Sequence, residues 1–548
     1  MLLPKNNPLG ARELTLCAAL LLAAVMACPA LAQETAKPPD GESPPVQPEE
    51  KAPHFDVKEY RVSGNTLLEV KDLERALYSQ LGKNKTFADI EQARKILEQR
   101  YRDAEYPAVI VDIPEQHVDG GVVWLKVTES RISTLRVSGT RYYSPRRLAE
   151  QVSALAPGNQ LQFAVVQEQI NQASAAYPGR AINPILRPGR TPGTVEAELK
   201  VQDTFPLYGS LEINDRNGEN TSRWRTTGSV GYSNLWQRGH SLNLQYQTAP
   251  ENTAEVKVWS GTYLFRVPSM NSLVALYGVK SKSNVAALGD ISVLGEGNIA
   301  GGRWIVPWSE GEGINRSLTF GVDYKDFKES VFSQGSDTSN TPINYLMFGL
   351  DFMSAYRDGG KTTSLTIGTR FGVRGLGNTL AEFDNKRELS RPDFRIIHMS
   401  IEHERPLSGG AGLHLELDGQ VSNSPLISNE EYGVGGSDTV RGYYESQLLG
   451  DNAVRARAEW RSPPLLGVAV LPNQDFHGLL FWDGAALHTK RAAAGQETYA
   501  DLSSIGIGLR MAESPAWEAR MDLARALVAA GSVKAGDMRW HAYFKYQF

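Results

Sequence analysis

From about Phe205 to Phe548 the chain keeps one pattern: apolar and polar residues alternate. Leu242, Leu244 and Tyr246 alternate with Asn243, Gln245 and Gln247. Leu318, Phe320, Val322 and Tyr324 alternate with Thr319, Gly321 and Asp323, and Val454, Ala456, Ala458 and Trp460 with Arg455, Arg457 and Glu459. The same rule runs through 413–418 and 517–523. A period of two sends successive side chains to opposite faces of a strand. A soluble sandwich alternates with its polar face in water. A transmembrane barrel alternates with its apolar face in lipid and its charged face lining an aqueous lumen. The length of the tract and its aromatic content favour the barrel. A strand of about 10 residues with its share of turns takes about twenty, which leaves room for roughly 14–18 antiparallel strands, with sixteen expected over 205–548.

The last strand carries the sharpest version of the pattern. Met538, Trp540, Ala542, Phe544, Tyr546 and Phe548 share one face, while Arg539, His541, Lys545 and Gln547 share the other. Such a strand can close a barrel against the first one, whereas as a soluble edge it would invite aggregation. Residues 1–32 read as a secretory signal peptide. Lys5 and Arg12 supply positive charge, 14–27 an apolar run too short to span a bilayer comfortably, and Ala30-Leu31-Ala32 a cleavage site. An uncleaved anchor, or a lipoprotein site at Cys28 spoiled by Pro29, fits less well. Both cysteines, Cys17 and Cys28, fall in this leader, so the mature chain is expected to have no disulfide and no thiol chemistry.

Residues 33–53 form a Pro- and Glu-rich linker that cannot be a continuous helix. An internal repeat follows. Arg61-Val62-Ser63-Gly64-Asn65 returns as Arg136-Val137-Ser138-Gly139-Thr140, an offset of 75. Each copy ends a predicted strand (57–63, 132–138) and precedes two helical patterns. Val70, Leu73, Leu77 and Leu81 lie on one helix face in the first copy, and Phe87, Ile90, Ala93 and Leu97 on the next, started by Thr86-x-x-Asp89. In the second copy Ser144-Pro145 opens a helix with Leu148, Val152 and Leu155, and Phe163, Val166, Ile170 and Ala173 make another. Strands 108–113 with 122–128, and 182–187 with 195–201, close the units. Two β-α-α-β-β modules, 54–129 and 130–203, are therefore expected before the barrel.

No catalytic, metal or cofactor site is expected. The chain lacks G-x-S-x-G, H-E-x-x-H and Walker A motifs. Gly295-Glu-Gly297-Asn-Ile-Ala300 matches G-x-G-x-x-A only by pattern, among strands. His398 and His403 fall on opposite strand faces. With 57 Lys+Arg against 62 Asp+Glu there is no basic footprint for nucleic acid.

This arrangement resembles the TpsB family, the outer-membrane transporters of two-partner secretion, also called hemolysin secretion/activation proteins and related to BamA. The repeats are similar to POTRA domains. The family's Y-x-x-x-G-Y element stands here as Tyr101-Arg-Asp-Ala-Glu105-Tyr106, with Glu at the usual Gly. Its P-x-Q…G…V-x-E-x-x-I run stands as Pro114-Glu-Gln116…Gly121…Val127-Thr-Glu129-Ser-Arg-Ile132, and Arg187-Pro188-Gly189…Pro192-Gly193-Thr194 is also family-like. Val440-Arg441-Gly442-Tyr443 matches the tip of the loop that folds into the lumen. Phe481-Trp482-Asp483-Gly484-Ala485 resembles the F-x-D-x-G strand motif, with Ala485 where Gly is usual.

The resemblance implies that Arg441 pairs with Asp483 on the inner wall and gates the pore, with Gly435, Gly436 and Gly442 bending the loop. It implies that Phe544, Tyr546 and Phe548 form a barrel-assembly signal read by the assembly machinery. It also implies a monomeric pore in outer-membrane lipid with its modules in the periplasm. Free strand edges at 108–113 or 182–187 would capture an unfolded, β-helical partner exoprotein for export to the cell surface. Some family members carry a plug helix in the pore, which the Pro-rich 33–53 segment cannot form at length. The alternative is a BamA-like assembly factor, against which two modules rather than several argue.

Overall fold

The computed structural model describes residues 54–548 except 176–178, 284, 289–290, 310, 329–341, 466–474, 494 and 514–515. The expected signal peptide and Pro-rich linker lie outside the described residues.

The first module contains β1 (Phe55–Val57), β2 (Glu59–Ser63), α1 (Val70–Leu77), β3 (Gly82–Lys85), α2 (Phe87–Asp103), β4 (Val109–Asp112) and β5 (Val122–Glu129). The second contains β6 (Arg131–Ser138), α3 (Pro145–Gln151), α4 (Phe163–Ala175), β7 (Arg180–Pro188) and β8 (Thr194–Asp203). Their sheets run β2-β5-β4 and β6-β8-β7, so the two modules share one topology. Leu73, Leu77, Ile90, Ala93, Leu97 and Tyr101 bury one side of the first sheet, and Leu148, Val152, Leu155, Val166, Ile170 and Ala173 one side of the second. The helix starts follow their chemistry. Thr86 and Asp89 form a capping box, and the Ser144 hydroxyl accepts from the Arg147 N–H before Pro145 opens α3.

Several details differ from expectation. The helices end at Leu77 and Gln151, before Leu81, Val152 and Leu155. The predicted strand 57–63 is split at Lys58, and its first part pairs with β3, adding a small two-stranded sheet to the plain β-α-α-β-β order. Val70, Phe87 and Phe163 are exposed although they fit their helix faces. Each is the first residue of its helix. A helical side chain covers the turn N-terminal to its own Cα, so these three project past the sheet.

A carboxylate that sequence reasoning passed over repeats as well. Glu129, at the end of β5, accepts from the backbone N–H groups of Thr66 (2.5 Å) and Leu67 (2.9 Å). Asp203, at the end of β8, accepts from those of Arg141, Tyr142 and Tyr143 at 3.0–3.2 Å. Each closes the turn that follows the repeated Gly. Glu129 also accepts from Gln160 of the second module at 3.1 Å.

Beyond Thr204 the described residues form a closed antiparallel barrel of sixteen strands, from Leu207–Asn214 to Met538–Gln547. The last strand pairs with the first, from Tyr543↔Asn214 to Gln547↔Ser210. The Phe548 N–H then donates to the Gly209 carbonyl at 3.0 Å, and the Gly209 N–H to the Phe548 carbonyl at 3.1 Å. The alternation reads out as expected on the outside. Leu244, Phe320, Val322, Leu415, Leu417, Val454, Trp460, Met521, Leu523, Trp540, Phe544 and Tyr546 all point outward, exposed for lipid.

The inside departs from a uniformly polar, aqueous lumen. At the outer end of half the wall the inward positions are apolar and buried: Val258, Val279, Ile299, Phe327, Tyr345, Met347 and Ile396. Phe383, Phe394, Leu426 and Ile427 from two loops fill the space they enclose. The alternation persists there, but the inner set changes character because loops, not water, cover it. Each such side chain contributes about 1.5–3 kcal/mol on burial, so this end of the lumen is a packed core.

The second module sits on the rim of the barrel at which the first barrel strand begins. The Ser144 N–H donates to the Gln237 side chain at 2.9 Å, which in turn donates to the Tyr142 carbonyl at 3.0 Å. Phe205 lies between the rings of Tyr142 and Tyr232, with centroids 5.3 and 6.2 Å away.

Candidate functional site: the lumen loop and its wall

Strands Gly412–Ser422 and Asn452–Arg461 pair directly, yet residues 423–451 lie between them. This segment folds into the barrel and is mostly buried. Its legs form a short antiparallel pair, Tyr432–Val434 with Leu448–Gly450. Gly435 and Gly436 then turn the chain with φ of 110° and 106°. A Cβ on Gly435 would sit 2.4 Å from the Tyr444 carbonyl oxygen, so only glycine fits.

The tip presents Val440-Arg441-Gly442-Tyr443 to the wall strand Asp475–His488. Arg441 Nε lies 2.7 Å from Asp483 Oδ2 and one terminal nitrogen 2.7 Å from Oδ1, a bidentate fork. The Arg441 backbone N–H adds a third bond to Oδ2 at 3.1 Å. Arg441 is 1% exposed and Asp483 0%. Charge around the pair is balanced. Glu459 (2.7 Å) and Asp522 (3.6 Å) also face Arg441, while Arg457 lies 3.4 Å from Asp483 and Arg510 2.6 Å from Asp522. Buried charges require such partners, since desolvation otherwise outweighs attraction.

The other residues of the two motifs fall around this pair. The Phe481 ring lies beneath the Arg441 guanidinium, 3.4 Å from it. Opposite Phe481 stands Gly506, where a Cβ would come within 2.3 Å of the ring. Gly484 is on the lipid side, where a Cβ would meet Trp482 at 2.7 Å. Val440 packs with Val434, Ala485 and Leu487, and the buried Tyr443 hydroxyl donates to the Val528 carbonyl at 2.7 Å. Gly442 has φ 94°, and its N–H donates to His541 Nε2 at 3.0 Å. Phe544, Tyr546 and Phe548 stand apart from this cluster, on the outer face of the closing strand.

Sequence reasoning gave no role to Glu459, Asp522, Gly506 or His541. His541 was visible only as one polar residue on the inner face of the last strand. In the structure its Nε2 accepts from the Gly442 N–H of the loop tip, and its Nδ1 lies 3.4 Å from Asp215. The loop tip is thus tied both to the wall carrying Asp483 and to the strand that closes the barrel.

His398 and His403 are indeed separate, bonding Asp351 (2.8 Å) and Thr363 (2.9 Å). Among the described residues Glu402, Glu404 and His414 bring three ligand-type atoms within 4.8 Å of one another on the lumen wall. Both glutamates are exposed there, as a solvated barrel wall allows. Gly297 lies in a strand and Gly295 in the turn before it, away from any βαβ unit.

Two repeated α+β modules, a sixteen-stranded closed barrel and a loop-filled lumen define an outer-membrane translocation pore. The family model for the haemolysin secretion/activation protein ShlB/FhaC/HecB matches residues 193–511, and that for the ShlB-type POTRA domain matches 55–130. The chain belongs to the ShlB/FhaC/HecB family of two-partner secretion transporters, with its POTRA modules in the periplasm. Among curated relatives it is 20% identical to the heme/hemopexin transporter protein HuxB of Haemophilus influenzae over 494 residues, covering 86% of this chain and 84% of that one. Among solved structures, CdiB from Escherichia coli aligns with a TM-score of 0.60 at 16% identity, over 92% of this chain and 93% of that one. BamA from Haemophilus ducreyi lacking POTRA domains 1–3 aligns at 0.55 and 12% identity, over 90% and 100%.

Proposed function

We propose that the Arg441–Asp483 pair holds the lumen loop across the pore and that an exported protein displaces it. The observation that carries this reading is the bidentate, fully buried fork between a loop tip and a wall strand, ringed by balanced charge. Displacing the loop costs these contacts, and contacts with the incoming chain offset them. Passenger folding outside the cell would prevent backsliding, so the reading needs no nucleotide, cofactor or catalytic step. The passenger would be a large, β-helical secreted partner.

Capture falls to the POTRA modules by strand addition. The sheet orders put β4 and β7 at free edges, and also β2 and β6, which the sequence reading did not consider. β7 carries Pro184 and Pro188, which lack the N–H that an added strand would use. The barrel is closed within one chain, which supports a monomeric pore in outer-membrane lipid. Phe544, Tyr546 and Phe548 would be read by the assembly machinery before closure. The BamA likeness is one of fold, and the family match over 193–511 favours the conduit.

Deleting residues 54–129 tests the reading. Export should stop while a heat-modifiable, conducting barrel remains in the membrane. Unchanged export would remove the capture role.

A further inference from the structure

We propose that helix α5 (Leu380–Lys386) and its loop are the outer door of the pore, and that Arg387 is the latch joining this door to the lumen loop. The inference rests on the conduit reading but concerns a different set of residues from the Arg441 cluster.

Arg387 follows α5 directly, and its N–H donates to the Phe383 carbonyl at 3.0 Å. Its guanidinium is 2% exposed and joins four separate places. One terminal nitrogen reaches Glu431 (2.8 Å), Asp451 (2.9 Å) and the Leu426 carbonyl. The other reaches Asp451 (2.6 Å) and the Lys490 carbonyl (2.9 Å). Glu431 and Asp451 stand on the two legs of the lumen loop, and both are buried. Asp451 also accepts from the backbone N–H groups of Leu426 (2.6 Å) and Lys490 (2.7 Å). One cation therefore ties the door helix to both legs and to the neighbouring outer loop.

The door has a seat as well as a latch. Phe383 from α5 enters the apolar core at the outer end of the lumen, with its ring 5.7 Å from Tyr345 and within the same cluster as Phe394, Leu426 and Ile427. Beside it Glu430 accepts from Lys325 at 2.5 Å and from the Tyr345 hydroxyl. Two of the seat residues, Leu426 and Ile427, belong to the lumen loop itself. Withdrawing that loop takes away part of the seat and both carboxylate partners of Arg387. Lifting the door alone breaks the buried ion pairs of Arg387 with Glu431 and Asp451, which is strongly unfavourable. Inner loop and outer door thus move together.

Two experiments on the full-length protein in membranes test this. The variant Arg387→Met, Glu431→Gln, Asp451→Asn removes the latch cation together with both of its carboxylate partners. In planar bilayers its mean open time should rise by about tenfold, with a heat-modifiable barrel of normal yield. Arg387→Met alone should show the same leak with lower yield. A correctly inserted triple variant as closed as wild type would overturn the latch. In the second, Phe383→Cys and Tyr345→Cys are joined by a short reducible crosslinker. Export should fall by about tenfold and recover on reduction, as expected when one state is locked. Undiminished export through the tethered protein would overturn the door. Conductance needs no passenger, so the first experiment stands apart from the conduit reading, which would itself fail if the unmodified chain exported nothing.

Discussion

Gly64 and Gly139 occupy one and the same place, 75 residues apart. Their φ angles are 85° and 83°, and a Cβ on either would lie 2.2 or 2.3 Å from a carbonyl oxygen, that of Val127 or of Val201. The pentapeptide echo in the sequence is thus a steric requirement met twice. Alanine at either site meets both a left-handed backbone and a backbone clash, so Gly64→Ala or Gly139→Ala should destabilise its module by about 2 kcal/mol or more. Denaturation midpoints of the periplasmic region check this, and a change below a few tenths of a kcal/mol would contradict it.

Glu105 offers the reverse experiment. It follows the C-cap of α2 with φ 69°, and the Tyr106 N–H donates to the Tyr101 carbonyl at 2.9 Å, a Schellman closure. The family pattern has Gly here. Glu105→Gly should stabilise the first module by about 0.5–1 kcal/mol, the relief of a left-handed non-glycine residue less the added freedom of the unfolded chain. A lower midpoint would show that the Glu side chain itself holds the module together.

Arg441 and Asp483 should not respond alike to removal. Arg441→Ala leaves Asp483, Glu459 and Asp522 together without their shared cation, whereas Asp483→Asn leaves Arg441 two carboxylates. Loss of the Arg should cost the loop about 3–5 kcal/mol and the Asn change clearly less. Adding Asp483→Asn to Arg441→Ala should recover part of the loss. Export and protease sensitivity of the loop, measured on heat-modifiable barrels, give the order. Equal effects with no recovery would argue against a coupled cluster.

His541 can be separated from that cluster. Replacing it with Ala leaves the buried Gly442 N–H without an acceptor, a cost of about 1–3 kcal/mol. The loop tip should then be cut faster by protease with the Arg441–Asp483 pair intact. Wild-type protection would show that water replaces the ring.

At the closing seam, the Phe548 ring lies so close to Gly209 that a Cβ there would come within 2.6 Å of it. Phe548→Asp should lower the yield of heat-modifiable barrel several-fold, chiefly by disrupting the proposed assembly signal, since a carboxylate on the lipid face near the interface itself costs only about 1 kcal/mol or less. Gels of membrane fractions measure it, and an unchanged yield would count against that signal.

The sequence was most legible where local rules act. Period-two alternation placed the barrel strands, and the repeated Gly placed the modules, because each reflects a constraint carried by neighbouring residues. Arg441 and Asp483 were legible only through motifs. Arg387 was not, since it lies in a loop and meets Glu431, Asp451 and Lys490 only after closure. Phe383 and Phe394 were hidden for the same reason. Nothing in their spacing says that two loops fold inward to make part of a pore dry.

Only Ser130 separates β5 from β6, and the Phe163 N–H reaches back across the junction to the Glu105 carbonyl at 2.9 Å. With the second module seated on Gln237 and Phe205, direct contacts run without a linker from the first module to the barrel rim. Whatever the modules capture is therefore delivered to the mouth of the pore at a fixed short reach, not on a free leash.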